Sequence, residues 1–329
     1  MLRIGPYELK NPFLLAPMAG ITDAPFRKLC RRFDAAMTTS EMTTADTRLW
    51  NTAKSRRRLN LDMDAEPSVV QIAGSDPGQL ATAAQLCVDH GAQIIDINMG
   101  CPAKKVCNKL AGSALLQDVK LVSRILEAVV KSVAVPVTLK IRTGWDDKNR
   151  NGVEIAHIAE ASGIKAIAVH GRTRACRFKG VAEYETIAQI KNKISIPVIA
   201  NGDIATSEKS LEVLRLSSAD ALMIGRGALG RPWIFRELNH FFETGRHAPP
   251  LDKSDVRDIM LHHLDDLYRF YGGTTGVRVA RKHLTWYCAG LYNSQEFRSQ
   301  VVRVDSASEQ IRLTREFFRH LAGGNSLAA

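Results

Sequence analysis

Residues 94–102 read Ile94-Ile95-Asp96-Ile97-Asn98-Met99-Gly100-Cys101-Pro102. The first part is short and almost continuously apolar, the pattern of a parallel strand covered on both faces. The second part puts a thiol between glycine and proline, at the strand's mouth rather than in its body. That position suits chemistry better than packing. The pattern recurs downstream, where strand-like runs end in Lys140-Ile141-Arg142, His170-Gly171-Arg172, Asn201-Gly202-Asp203 and Gly225-Arg226-Gly227. Polar residues gathered at the carboxyl ends of successive strands predict a TIM-barrel active site.

Outward from this stretch, eight strand-like runs fall at 13–18, 36–41, 68–73, 94–98, 137–141, 166–170, 197–200 and 221–225. Helical patterns lie between them, at 23–32, 77–90, 115–132, 153–162 and 207–216. Asp76 (or Ser75) and Thr206 stand at N-cap positions, and Gly91, Gly163 and Gly180 supply stops. Eight β-α units in residues 1–245 predict an α/β chain built as a (β/α)8 barrel. An open doubly wound sheet competes, but its phosphate-binding glycine loop follows the first strand. Here Gly225-Arg226-Gly227-Ala228-Leu229-Gly230 follows the last. Residues 245–250, Gly-Arg-His-Ala-Pro-Pro, read as a linker, and beyond it no strand pattern survives. Helices at 255–271, 276–289, 294–303 and 306–321 predict a small all-helical domain over 246–321, followed by a disordered tail at 322–329.

The chain of 329 residues is 45% hydrophobic and carries a net charge of +11, a field that favours polyanions. Its six cysteines form no CxxC pair and no disulfide framework. The start, Met1-Leu2-Arg3-Ile4-Gly5-Pro6, lacks the apolar core of a signal peptide, and no apolar run is long enough to span a membrane. We therefore expect a cytoplasmic monomer with reduced thiols. No metal site is expected: HExxH is missing, and His262-His263 has no companion at ligand spacing.

Cys101 has two possible roles. A nucleophile needs a base or a positive field to lower its pKa, whereas a general acid must stay protonated. No neighbouring residue in the sequence chooses between them, and a buried structural thiol remains the bland alternative. Cys107 follows closely as a possible redox neighbour, a reading we do not favour. The loops after the seventh and eighth runs suit a phosphate, with Arg226 binding it through two hydrogen bonds. Gln71 at the third strand end suits a heteroaromatic edge. Basic clusters recur at Arg27-Lys28, Arg31-Arg32, Lys54 with Arg56-Arg57-Arg58, Lys104-Lys105, and Arg172 with Arg174. Those near strand ends would line a mouth across which a polyanion lies.

These motifs, in this order, resemble the tRNA-dihydrouridine synthases, most closely their bacterial B-type branch. The resemblance runs over nearly the whole chain. It rests on Ala16-Pro17-Met18-Ala19-Gly20-Ile21-Thr22-Asp23, Asn98-Met99-Gly100-Cys101-Pro102 with Lys104-Lys105-Val106, Lys140-Ile141-Arg142-Thr143-Gly144-Trp145, His170-Gly171-Arg172-Thr173-Arg174, Asn201-Gly202-Asp203-Ile204 and Gly225-Arg226-Gly227. It implies an FMN enzyme that uses NADPH to reduce the C5–C6 double bond of particular uridines in tRNA. It also implies a carboxy-terminal domain that helps hold the tRNA. Pro17, Met18, Ala19, Gln71, Lys140, Asn201, Gly202, Asp203, Gly225 and Arg226 are implied flavin contacts, with His170 a further one. Hydride would pass from flavin N5 to C6, and Cys101 would protonate C5. The ammonium of Lys140 would stabilise negative charge on the reduced ring. Lys104, Arg142, Arg172, Arg174, Arg281 and Lys282 are the expected RNA contacts. Two rivals predict different behaviour. A flavin barrel acting on a free pyrimidine, as in dihydroorotate dehydrogenases, needs no basic helical domain. A non-enzymatic RNA-binding barrel would be colourless.

Overall fold

The computed structural model describes residues 2–108 and 110–323. Eight parallel strands form the barrel: β1 (Phe13–Leu15), β2 (Met37–Thr38), β3 (Val69–Ala73), β4 (Ile94–Met99), β5 (Val137–Arg142), β6 (Ala166–His170), β7 (Val198–Asn201) and β8 (Ala221–Ile224). Each of β3 to β7 pairs with the next strand in the chain. Leu222–Phe13 pairing joins β8 to β1, β1 pairs with β2, and a Thr39–Val69 bridge joins β2 to β3, so the ring closes. The barrel expected from the sequence is the one observed.

Two strands are shorter than their apolar runs predict. β1 ends before Pro17, which has no N–H to continue a ladder. β2 gives way at Ser40, whose Oγ accepts the Gln71 N–H in place of a backbone carbonyl. The chain then rejoins β3 through Thr43–Thr44.

The outer helices are α1 (Ala24–Arg32), α2 (Ala53–Leu59), α3 (Pro77–Asp89), α4 (Lys104–Cys107), α5 (Val119–Ser132), α6 (Gly152–Ala161), α7 (Glu185–Lys191), α8 (Ser207–Ser217) and α9 (Ile234–Thr244). Asp76 and Thr206 cap α3 and α8 as expected, each accepting a backbone N–H three residues on. α5 begins later than its pattern predicts because Asp118 caps it, and a 3₁₀ turn over Gly112–Gln117 precedes it. Gly180 stops no helix; it closes a loop that runs from Arg172.

Side chains alternate across the strands, and this sorts the interior into two levels. The lower level is apolar, with Leu14, Met37, Val69, Ile94, Ala166, Ile199 and Ala221 in contact. An amino-terminal hairpin, Arg3–Ile4 with Tyr7–Glu8, plugs it by adding Leu2, Ile4 and Leu9. The sequence pattern missed that hairpin, whose strands are two residues each. The upper level, at the carboxyl ends, is polar.

Beyond α9 come α10 (Lys253–Tyr271), α11 (Gly273–Tyr287), α12 (Ser294–Val301) and α13 (Ala307–Gly323). They match the four expected helices closely. α13 continues two residues into the expected tail, and residues 324–329 lie outside the described residues. This bundle has a core of its own, built on Met260, Leu264, Leu267, Leu284 and Phe318. The core reaches the barrel through Leu29 and Phe33 on α1 and its flank, and through Trp233. Among the described residues no helix is long and apolar enough to cross a membrane.

Candidate active site

Alternate residues of β3, β4 and β5 aim into the upper level and bond to one another. The Asp96 carboxylate accepts from Thr138 Oγ1 (2.6 Å) and Gln71 Nε2 (2.7 Å). Gln71 Oε1 accepts from Asn98 Nδ2 at 2.8 Å. Asn98 Oδ1 then accepts the Cys101 N–H at 3.0 Å. A buried chain of polar contacts thus runs from the barrel wall to the thiol loop. Sequence reasoning assigned Gln71 but gave no role to Asp96, Asn98 or Thr138. The signal was present: an acid stands alone inside Ile94-Ile95-Asp96-Ile97. A buried carboxylate without partners is costly, so it marks a polar network.

The Cys101 carbonyl accepts from Ser113 N (3.1 Å) and Ser113 Oγ (2.9 Å), which fixes the loop from its other side. Cys107 packs beneath, its Sγ 3.6 Å from the same carbonyl. Burial pushes the Cys101 thiol above its ordinary range, and this outweighs the opposing pull of the Ala103 N–H and of Arg142. The sulfur is therefore a protonated thiol near neutrality, the state a proton donor requires.

Lys140 is buried, and its Nζ donates to Asn201 Oδ1 at 3.0 Å. Burial lowers its pKa to about 8, with Arg142 adding to the effect. Asn201 Nδ2 donates to Met223 O at 2.7 Å, so β8 holds the amide in one orientation. His170 sits beside them. Burial, with Lys140 and three arginines nearby, lowers its pKa to about 2, which makes it a neutral imidazole. Arg172 Nη1 lies 3.4 Å from His170 Nε2, and a guanidinium only donates. The ring proton therefore belongs on Nδ1.

At the corner after β7, where the sequence suits a phosphate, Gly202 has φ +134° and Asp203 φ +51°. A Cβ on Gly202 would come within 2.7 Å of Ala182 Cβ, so only glycine fits there. The Asp203 carboxylate accepts from Arg172 Nη2 (2.6 Å), Ala182 N (2.8 Å) and Arg226 Nη2 (3.1 Å). Burial works against ionisation, but these bonds and both arginine charges hold its carboxyl below the usual range. Its side chain thus orients Arg226 rather than facing an anion itself. Gly225 opens the turn after β8, and a Cβ there would lie 3.6 Å from Met18 Sδ. Pro17, Met18 and Ala19 are therefore brought to the same rim as Gly225 and Arg226.

Two expected RNA contacts fall elsewhere. Arg142 is 1% exposed and donates to Gly100 O (2.8 Å), Thr173 O (2.9 Å) and Arg177 O (2.7 Å). Arg172 is 3% exposed and donates to Lys179 O and Gly180 O as well as Asp203. Both are buried and clamp loops from inside. Arg281 ties α11 to Asp305 and Val304 O, and Lys282 donates to Gly20 O. Arg174 lies half-buried with its guanidinium 4.3 Å from the Trp145 ring centroid. Lys104 is exposed at the start of α4. Replacing Arg142 with methionine is expected to cost roughly 2–4 kcal/mol of stability, since three carbonyls lose their donor. Urea unfolding of the variant measures this, with faster proteolysis within 173–180 as a local readout.

Among the described residues no three histidine, cysteine or acidic side chains gather as metal ligands would. A barrel that brings a protonated thiol, a buried lysine, an amide and a neutral imidazole to one mouth is built for catalysis. Residues 14–322 match the family model described as dihydrouridine synthase (Dus), and the chain belongs to that family of oxidoreductases. It is 60% identical over 318 residues to tRNA-dihydrouridine synthase B of Pseudomonas aeruginosa, covering 97% of this chain and 96% of that one. It is 56% identical over 323 residues to the protein of that name from Xanthomonas axonopodis pv. citri, covering 98% and 97%. Solved structures share the fold at low identity. An old yellow enzyme homologue of Zymomonas mobilis superposes with TM-score 0.53 at 14% identity, covering 77% of this chain and 94% of that one. A 2-naphthoyl-CoA reductase complex gives 0.56 at 12%, covering 73% and 51%.

Proposed function

We propose that this chain reduces the C5–C6 double bond of particular uridines in tRNA to 5,6-dihydrouridine, using FMN and NADPH. The observation that carries the reading is the Cys101 thiol, kept protonated by burial at the mouth of the barrel. The residues present fit the cofactor. The Lys140 ammonium has three donor hydrogens and, among the described residues, one hydrogen-bond acceptor, Asn201 Oδ1, which leaves capacity for an electron-rich ring edge. Gln71 and His170 would share that ring with it. Gly202, Asp203 (through its backbone), Gly225 and Arg226 would hold the phosphate, with Pro17, Met18 and Ala19 along the rim. When bound, FMN supplies the hydride that adds to C6 of the uracil ring.

The protein's own part is proton delivery and placement. Cys101 gives its proton to C5, and the thiolate left behind sits in the positive field of Arg142 and Lys105 until solvent reprotonates it. The Asn98 and Ser113 bonds on either side of Cys101 fix the thiol's backbone, so proximity rather than reactivity sets the rate. The target base must leave the RNA stack to reach this depth. The net charge of +11 favours a polyanionic substrate over a free pyrimidine. In this reading residues 1–245 hold the flavin and 246–321 engage the tRNA, and the protein works as a cytoplasmic monomer.

The test is nucleoside mass spectrometry on unmodified tRNA incubated with the purified protein, FMN and NADPH. A uridine heavier by about two mass units, the two hydrogens of saturation, is the expected product. A yellow protein that oxidises NADPH and leaves the tRNA unchanged would point to another substrate.

A further inference from the structure

The loop after β6 carries a side chain that the reduction above does not use. Arg177-Phe178-Lys179 is a basic–aromatic–basic triplet, and Phe178 stands 55% exposed. Its ring centroid lies 6.3 Å from that of His170. The guanidinium carbons of Arg142 and Arg226 lie 5.3 and 5.6 Å from it. The phenyl ring therefore sits over the barrel mouth, between residues of β5, β6 and the turn after β8. Single exposed apolar side chains are ordinary on protein surfaces. This one differs because its loop is held rigid from below. Arg142 bonds the carbonyls of Thr173 and Arg177, and Arg172 bonds those of Lys179 and Gly180. Two buried guanidiniums are thus spent on presenting an aromatic ring to solvent beside the site.

Bases in single-stranded RNA stack on aromatic faces whatever their sequence, and phosphates flank every base. Arg177 and Lys179 are exposed on either side of the ring, placed to meet those phosphates. We infer that Phe178 is the stacking residue for an unpaired nucleobase of the RNA strand that enters the mouth, with Arg177 and Lys179 on the adjoining phosphates. The inference rests on RNA being the substrate.

The test measures tRNA binding to the FMN-loaded protein by fluorescence anisotropy across a potassium chloride series. Phe178→Ala is expected to raise Kd about tenfold at every salt concentration without changing the salt slope, because a stacking contact releases no counterion. Phe178→Trp restores the affinity. Lys179→Ala lowers the slope by about one. The ratio of flavin to protein absorbance in Phe178→Ala stays at the wild-type value. An unchanged Kd in Phe178→Ala would overturn the inference. So would loss of flavin with tRNA binding intact, since the ring would then cover the cofactor. If the binding pattern holds and no dihydrouridine forms, the proposed chemistry fails while the stacking role stands.

Discussion

Cys101→Ala is expected to lose dihydrouridine formation by a factor of about 10² to 10⁴, the usual contribution of a positioned general acid. Flavin binding and its reduction by NADPH should be untouched, because neither needs the thiol proton. Stopped-flow absorbance separates the two half-reactions: the bleaching phase with NADPH persists, and reoxidation by tRNA slows. Full reoxidation by tRNA in the variant would remove the assigned role. Cys101→Ser is a sharper probe. The Asn98 and Ser113 contacts are to the backbone of residue 101 and remain in either variant, and serine also keeps nearly the size of the thiol, so any loss reports on the acid and not on loop shape.

Acid is expected to unfold this protein early. His170 and His263 are buried, and burial lowers their pKa values to about 2 and about 3. Both stay neutral in the folded chain while the unfolded chain takes up protons below about 6.5. The stability they permit is whole above that pH and drains away as pH falls from 6.5 toward 3. Each loses about 2 kcal/mol between pH 7 and 5, near 4 kcal/mol together. His283, wedged between Phe26 and His263, shifts in the same direction. Asp23 works the other way. Burial raises its pKa to about 6, so the folded state binds that proton first and recovers about 1 kcal/mol by pH 5. Asp96 is raised by burial as well and adds to the recovery. Urea midpoints at pH 7 and pH 5 measure the balance; equal midpoints would mean that the three imidazoles charge without cost.

The barrel was legible because parallel strands covered on both faces leave continuous apolar runs, and the polar ends that punctuate them fall on one face of the fold. The lone thiol, the lysine at 140 and the glycines at 202 and 225 announced themselves by type and position. The arginines did not. A guanidinium at a strand end looks the same in sequence whether it faces solvent or, like Arg142 and Arg172, is buried against carbonyls of a loop some 30 residues away or just ahead. The residue that reaches solvent there, Phe178, has no periodic partner and so carried no signal. Asp96 could have been read, since an acid inside an apolar strand must find donors, and it finds them on the two neighbouring strands.

The helical bundle grips the barrel at the loop that follows β1. Tyr271 Oη donates to the Asp23 carboxylate at 2.9 Å, Lys282 donates to Gly20 O, and Phe26 sits against His263 and His283. The two parts are consequently poor candidates for free exchange between relatives. A bundle grafted from another barrel would bring no tyrosine for Asp23 and no ammonium for Gly20 unless the donor shared both. The acceptors would then be stranded next to Met18 and Ala19. Shuffling can preserve function here only if the junction travels with the bundle, so the heritable unit is the pair of domains together with the loop they share.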